Sequence, residues 1–301
     1  MAFLNGSVHL LHRSVPTTLH LRAVIPAEHR SAGILGNERM GTATLLRDSG
    51  IALTAHYVVI GASEIEATQL DGSTCSARVQ AIDFESGIAV VAVDASWKGG
   101  VHFRPNDDLA LGEDVFLVAS VGDGRRVNSG AVSSIGLFEA FWEYALDGAI
   151  TVTADNPGLP GGPLFDRRGR MVGVVALSQV EVGKPTLVIP AAAAHAAVAE
   201  ASEGGGRPRK DPRAWLGITC YALRDHVIVA GVLPESPAEA AGIGSGDLIL
   251  TIDGEAIADR RSLYGRIWRH RSGDRVRLRV LRQDRAMEVE VAATAIEEYF
   301  S

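Results

Sequence analysis

Apolar and polar positions alternate with a period of two along most of the first two hundred residues, in short stretches broken by glycine, proline, asparagine and aspartate. Thr17 to Ile25 puts Leu19, Leu21 and Ala23 on one side of an extended chain. Before it, Ser7 to Arg13 reads as one or two helical turns that Pro16 ends. Gly41–Leu46 and Ile51–Thr54 read as two strands joined by the turn Asp48-Ser49-Gly50. A turn at Asp166–Gly169 leads into Met171–Ala176, a further strand, and Phe138–Tyr144 reads as a loop or short strand before it. Ala191 to Ala201 reads as a closing helix. Many short strands separated by turn signals predict all-β structure over roughly residues 15–201.

A second pattern follows Gly204–Pro212, a flexible and partly stiffened linker. In Arg275–Val280 the alternation puts Val276, Leu278 and Val280 on a buried face and the arginines outside. Leu263 and Ile267, spaced i,i+4, share one face of a helix starting near Ser262. The expected division is residues 1–201, a linker over 202–212, a small α+β domain over 213–296 and a tail over 297–301.

Composition narrows the function classes. A chain of 301 residues with 47% hydrophobic residues supports about two packed domains. The net charge of −7 argues against general nucleic-acid affinity. Cys75 and Cys220 lie far apart, which argues against a disulfide framework, and neither has the companions of a metal site. Neither a metal nor another cofactor is expected. No stretch approaches the ~20 apolar residues that span a bilayer. The start, Met1–Gly6, lacks a basic segment followed by an apolar one, so the expected location is cytoplasmic, or periplasmic if translation starts elsewhere.

Three motifs carry the chemistry. Asn156-Pro157-Gly158-Leu159-Pro160-Gly161-Gly162-Pro163-Leu164 resembles the nucleophile loop of HtrA-type (Deg) trypsin-like serine proteases, N-P-G-N-S-G-G-P-L. Leu53–Ala62 resembles the segment that holds that family's histidine base, and Asp83–Asp94 the one that holds its aspartate. The resemblance implies a chymotrypsin-like double β-barrel. It also sets Tyr57, Gly87 and Pro160 at the positions of base, orienting carboxylate and nucleophile, with His56 one residue early. Proline has neither a hydroxyl nor a backbone N–H, so both the nucleophile and one oxyanion donor are missing there, and the Gly158 N–H is the remnant donor. Tyrosine is a poor proton acceptor near neutrality, and glycine cannot fix an imidazole tautomer. His56 reads as a surface or hydrogen-bonded histidine and His195 as a packing or surface residue.

Trp215-Leu216-Gly217-Ile218 resembles the carboxylate-binding loop of PDZ domains. With Val232–Ile243 and Gly246–Gly254, it is similar to the PDZ domains attached to HtrA proteases. That resemblance implies peptide binding at Leu216, Gly217, Ile218 and Cys220, facing Leu263 and Ile267, by an added strand beside Ile218–Tyr221. The arginine-rich stretch Arg260–Arg285 reads as a solvated face, or else Arg261, Arg266 and Arg269 raise the positive potential along the groove and attract acidic tails.

Removing the serine of a related triad enzyme costs about six decades in kcat, or roughly 8 kcal/mol. The expectation is therefore a chain that is not an enzyme. It would act as an adaptor, scaffold or regulatory protein that binds C-terminal or unfolded peptides, and as a homo- or hetero-oligomer with HtrA relatives. The competing expectation, from the resemblance alone, is a serine endopeptidase of protein quality control.

Overall fold

The computed structural model describes residues 10–47, 49–94, 99–104, 108–178, 186–204 and 211–301. Most of the sequence-predicted linker, and parts of the first helix and first turn, lie outside the described residues.

Two closed six-stranded barrels occupy the first two hundred residues. The first is built from β1 (Thr18–Val24), β2 (Glu38–Leu45), β3 (Ile51–Ala55), β4 (Glu64–Thr68), β5 (Thr74–Asp83) and β6 (Ile88–Val93), in the order β1-β2-β3-β6-β5-β4. The second uses β7 (Asp114–Val121), β8 (Gly124–Glu139), β9 (Ala145–Val152), β10 (Pro163–Asp166), β11 (Met171–Ser178) and β12 (Thr186–Pro190), in the order β10-β11-β12-β9-β8-β7. Closure removes the unpaired edges that antiparallel sheets otherwise expose. Leu19, Leu21 and Ala23 are fully buried, as the alternation predicts, and they pack with Ala43, Ala52 and Val91. The other side of β1 is covered as well, since Thr18 and His20 are also buried.

The remaining sheet runs β13 (Ile218–Leu223), β14 (His226–Val232), β15 (Leu248–Ile252), β17 (Arg275–Arg282), β18 (Arg285–Ala292), with β16 (Glu255–Ala256) paired to β15. Val276, Leu278 and Val280 are wholly buried, each contributing roughly 1.5–3 kcal/mol by leaving water. One face of the sheet is covered by the helix Arg260–Ile267, which a capping box starts. The Asp259 carboxylate accepts from Ser262 N–H at 2.7 Å, and Ser262 Oγ accepts from Asp259 N–H at 3.1 Å.

The described chain divides into two compact units, and the division is not where the sequence pattern changes. Phe138–Leu146, from the connection between β8 and β9, clusters with the residues from 211 onward. By connectivity Phe138–Tyr144 is the end of β8 and the second-barrel loop leading to β9, as the sequence predicts. Its packing with the residues from 211 onward is what the sequence does not show.

Candidate functional site

In the barrel unit, β3 runs into a single 3-10 turn over His56–Val58, so His56 and Tyr57 leave the backbone in different directions. The His56 N–H donates to Gly87 O at 2.9 Å, tying this turn to the approach to β6. The Tyr57 hydroxyl donates to Ala176 O on β11 at 2.5 Å. On the same strand, Val175 O accepts the Gly161 N–H at 2.8 Å. Residues 57, 87 and 160 thus come into one neighbourhood, although they are spread over a hundred residues of chain.

The loop around Pro160 is fastened through its backbone. Thr42 N–H donates to Pro160 O at 2.6 Å, and Thr42 Oγ1 donates to Leu159 O at 2.8 Å. Leu159 N–H donates to Ser120 O at 3.1 Å, and Gly158 N–H reaches Asn156 Oδ1 at 3.4 Å. Gly158, Leu159 and Gly161 therefore aim their N–H groups at partners of the same unit. A Ser–His pair does exist here, His20 Nδ1 and Ser120 Oγ at 3.3 Å. Ser120 is wholly buried and also bonded to Thr42 Oγ1 at 2.9 Å, so no substrate carbonyl reaches it.

The His56 ring lies edge-on to Tyr57 and Phe84, and its enclosed Nδ1 has no hydrogen-bond partner. Burial, opposed by the Gly87 carbonyl and the Asp83 charge, lowers its pKa to about 4. The imidazole is neutral at pH 7 and lies against the Gly87 carbonyl, in keeping with the hydrogen-bonded alternative of the sequence reading. Burial pushes the Tyr57 phenol well above its ordinary value, so it stays protonated and donates. Tyr57→Phe is expected to cost about 1 kcal/mol through the lost bond to Ala176, read as a lower urea midpoint. An unchanged midpoint would show that this bond contributes nothing. His195 makes an edge contact with Phe103, in keeping with a packing role. A cavity of about 690 Å³ opens elsewhere in the unit, lined by His12, Arg13, Arg47 and Arg168 among others, and it contains none of these positions.

In the second unit the loop Leu216–Ile218 turns through Gly217 at φ +85°. A Cβ there would stand 2.3 Å from that of Ser236, so only glycine fits. The loop already holds a carboxylate. Glu143 accepts from Leu216 N–H at 3.0 and 3.2 Å with its two oxygens, and from Ile218 N–H at 2.8 Å. It is 4% exposed, and burial raises its pKa to about 7 against the lowering effect of these N–H groups and of Arg213. Cys220 N–H donates to Phe141 O at 2.6 Å, and Trp142 bridges Thr219 in antiparallel register. From the helix, the Tyr264 hydroxyl donates to Ala140 O at 2.8 Å. Leu263 and Ile267 are fully buried in the domain core, alongside Leu216, Ile218 and Cys220. Arg266 and Arg269 share the single carboxylate of Glu255, which offsets one of their two positive charges. Sequence reasoning missed Glu143 and Tyr264, because nothing local marks either as facing the loop.

The profile of the trypsin-like peptidase domain matches residues 41–174, and that of the PDZ domain matches residues 214–293. The chain thus resembles a trypsin-like peptidase domain followed by a PDZ domain. Relatives include a DegP-like protein of Pseudomonas fulva, named a probable periplasmic serine endoprotease. It is 29% identical over 89% of this chain and 59% of its own length. A Chlamydia trachomatis protein of the same name is 28% identical over 85% of this chain and 54% of its own. The chain thus spans little more than half of these DegP-like relatives. Among solved structures, the HtrA-type protease AlgW with a decapeptide superimposes with a TM-score of 0.58 at 24% identity, covering 95% of this chain and 98% of its own. The serine endoprotease from Yersinia pestis gives 0.57 at 22% identity, covering 95% and 97%. These two likenesses establish the shared fold: a chymotrypsin-like double barrel followed by a PDZ-like domain with a small helix.

One expectation falls here. The relatives are named serine proteases and endoproteases, so the conclusion that this chain is not an enzyme, drawn from residues 57, 87 and 160, is overturned as a statement about activity. The cytoplasmic expectation gains no support either, since the relatives' names place those proteins in the periplasm. Among the described residues, no helix is long and apolar enough to cross a membrane.

Proposed function

We propose that this chain acts in HtrA-type protein quality control, as a serine endopeptidase of the class for which its relatives are named, with the PDZ domain selecting peptides. The observation that carries the peptide half is the Leu216–Ile218 loop, whose N–H groups are arranged to hold a carboxylate. AlgW, of the same fold, is described in complex with a decapeptide, which agrees with a peptide groove here. Binding at Leu216, Gly217, Ile218 and Cys220 places an extended peptide beside β13.

For the barrel, hydrolysis needs a nucleophile, and residue 160 has no hydroxyl to supply one. The experiment is therefore to expose the purified chain to casein and to a fluorophosphonate probe, and to map any adduct by mass spectrometry. Cleavage together with a mapped adduct identifies the residue that replaces position 160. Absence of both would sink the endopeptidase half and leave the peptide half standing.

A further inference from the structure

The PDZ loop is not empty. Ala140 to Glu143 runs antiparallel to β13, with Phe141 O on Cys220 N–H and Trp142 opposite Thr219. Glu143 ends this run with its carboxylate on the N–H groups of Leu216 and Ile218. The chain then turns back on itself, Tyr144 N–H donating to Trp142 O at 2.5 Å and Ala140 N–H to Tyr144 O at 2.9 Å. Tyr264 reaches across from the facing helix to Ala140 O. An added strand, a carboxylate in the loop and a helix wall on the other side are the contacts by which such a groove holds a peptide terminus.

We infer that residues 138–146 are an internal ligand of the PDZ groove, in which the Glu143 side-chain carboxylate takes the place of a terminal carboxylate, so that a free peptide C-terminus binds only by displacing this segment. The inference rests on the peptide reading given above. Tethering makes the internal contact unimolecular, equivalent to a local ligand concentration in the millimolar range, so external peptides meet a standing competitor. The ligand class that can win is an extended peptide with a free α-carboxylate, which offers the loop N–H groups the same kind of acceptor that Glu143 supplies.

The test compares the full chain with Glu143→Ala, using a synthetic peptide of residues 136–143 with a free terminal carboxylate and its C-terminal amide as probes. Affinity is read by titration calorimetry, and exchange of the Leu216 and Ile218 amides by hydrogen exchange without peptide. The inference expects the variant to bind the acid probe at least tenfold more tightly than the unsubstituted chain, and its Leu216 and Ile218 amides to exchange faster. Glu143→Gln keeps the side-chain shape and is expected to fall between the two, which guards against a folding defect of the alanine chain. Equal affinities in all chains would overturn the internal ligand and leave the peptide reading intact. Faster exchange with no probe binding in any chain would keep the internal ligand and remove the external-peptide reading. Unchanged exchange together with no binding would overturn both.

Discussion

A Gly161→Ala chain is expected to lose about 2–4 kcal/mol of stability, seen as a large drop in the urea midpoint of the barrel unit. Gly161 sits at φ +91°, which an alanine tolerates at a cost of about 1 kcal/mol or somewhat more. Space is the greater obstacle. A Cβ there would stand 2.1 Å from Thr42 O and 2.3 Å from Thr54 Oγ1. Neither atom can retreat, because Thr54 Oγ1 donates to Thr42 O at 2.8 Å and both residues are fully buried. Forcing a methyl into such packing adds about 1–3 kcal/mol. Gly112→Ala is the matched control, since Gly112 has φ +77° but open space where a Cβ would go. The control should cost only the backbone share. Equal losses in the two variants would mean that the close approach at Gly161 carries no penalty.

Acid should weaken the barrel unit through His56. Its pKa falls from 6.5 in the unfolded chain to about 4 in the folded one. Between those values the unfolded state holds a proton that the folded state does not, so stability falls as pH drops through this window. At 1.36 kcal/mol per unit, the full loss reaches about 3 kcal/mol by pH 4. His56→Phe replaces the ring by one of similar shape with no proton to gain. The enclosed Nδ1 has no partner to abandon, but the ring's contact with the Gly87 carbonyl is lost, so the reading is relative: between pH 7.5 and 4.5 the unsubstituted chain should lose about 3 kcal/mol more than the variant. Glu143, raised to about 7, works in the opposite sense, its contribution being present below its ordinary value and lost as pH rises through 7. The difference between the unsubstituted and His56→Phe chains therefore isolates the histidine. Parallel pH profiles for the two would show that His56 titrates alike in both states.

Much of this molecule was legible from local signals. Alternation at Leu19, Leu21 and Ala23, and at Val276, Leu278 and Val280, marked strand faces that the structure buries completely. That works because side-chain direction along a strand depends only on position in the chain. The nucleophile-loop resemblance likewise led to the neighbourhood where residues 57, 87 and 160 meet. The same substitutions led to a conclusion about activity that the named relatives overturn, because letters at three positions describe a chemistry and not a protein's whole activity.

The sequence by itself determined the two barrels, the PDZ domain, the carboxylate-binding loop at Leu216–Ile218 and the proline at position 160. Only the tertiary structure decided what lies in that loop. Glu143 and Leu216 are 73 residues apart, and Tyr264 and Ala140 are 124 apart. Phe141-Trp142-Glu143 has the same aromatic and acidic character whether it closes a barrel hairpin or pairs with β13. Strand pairing is made by backbone groups that every residue carries, so the pattern of side chains does not name the partner. The enclosure of His56 Nδ1 has the same origin, since the rings around it come together only when β3 and the approach to β6 are joined.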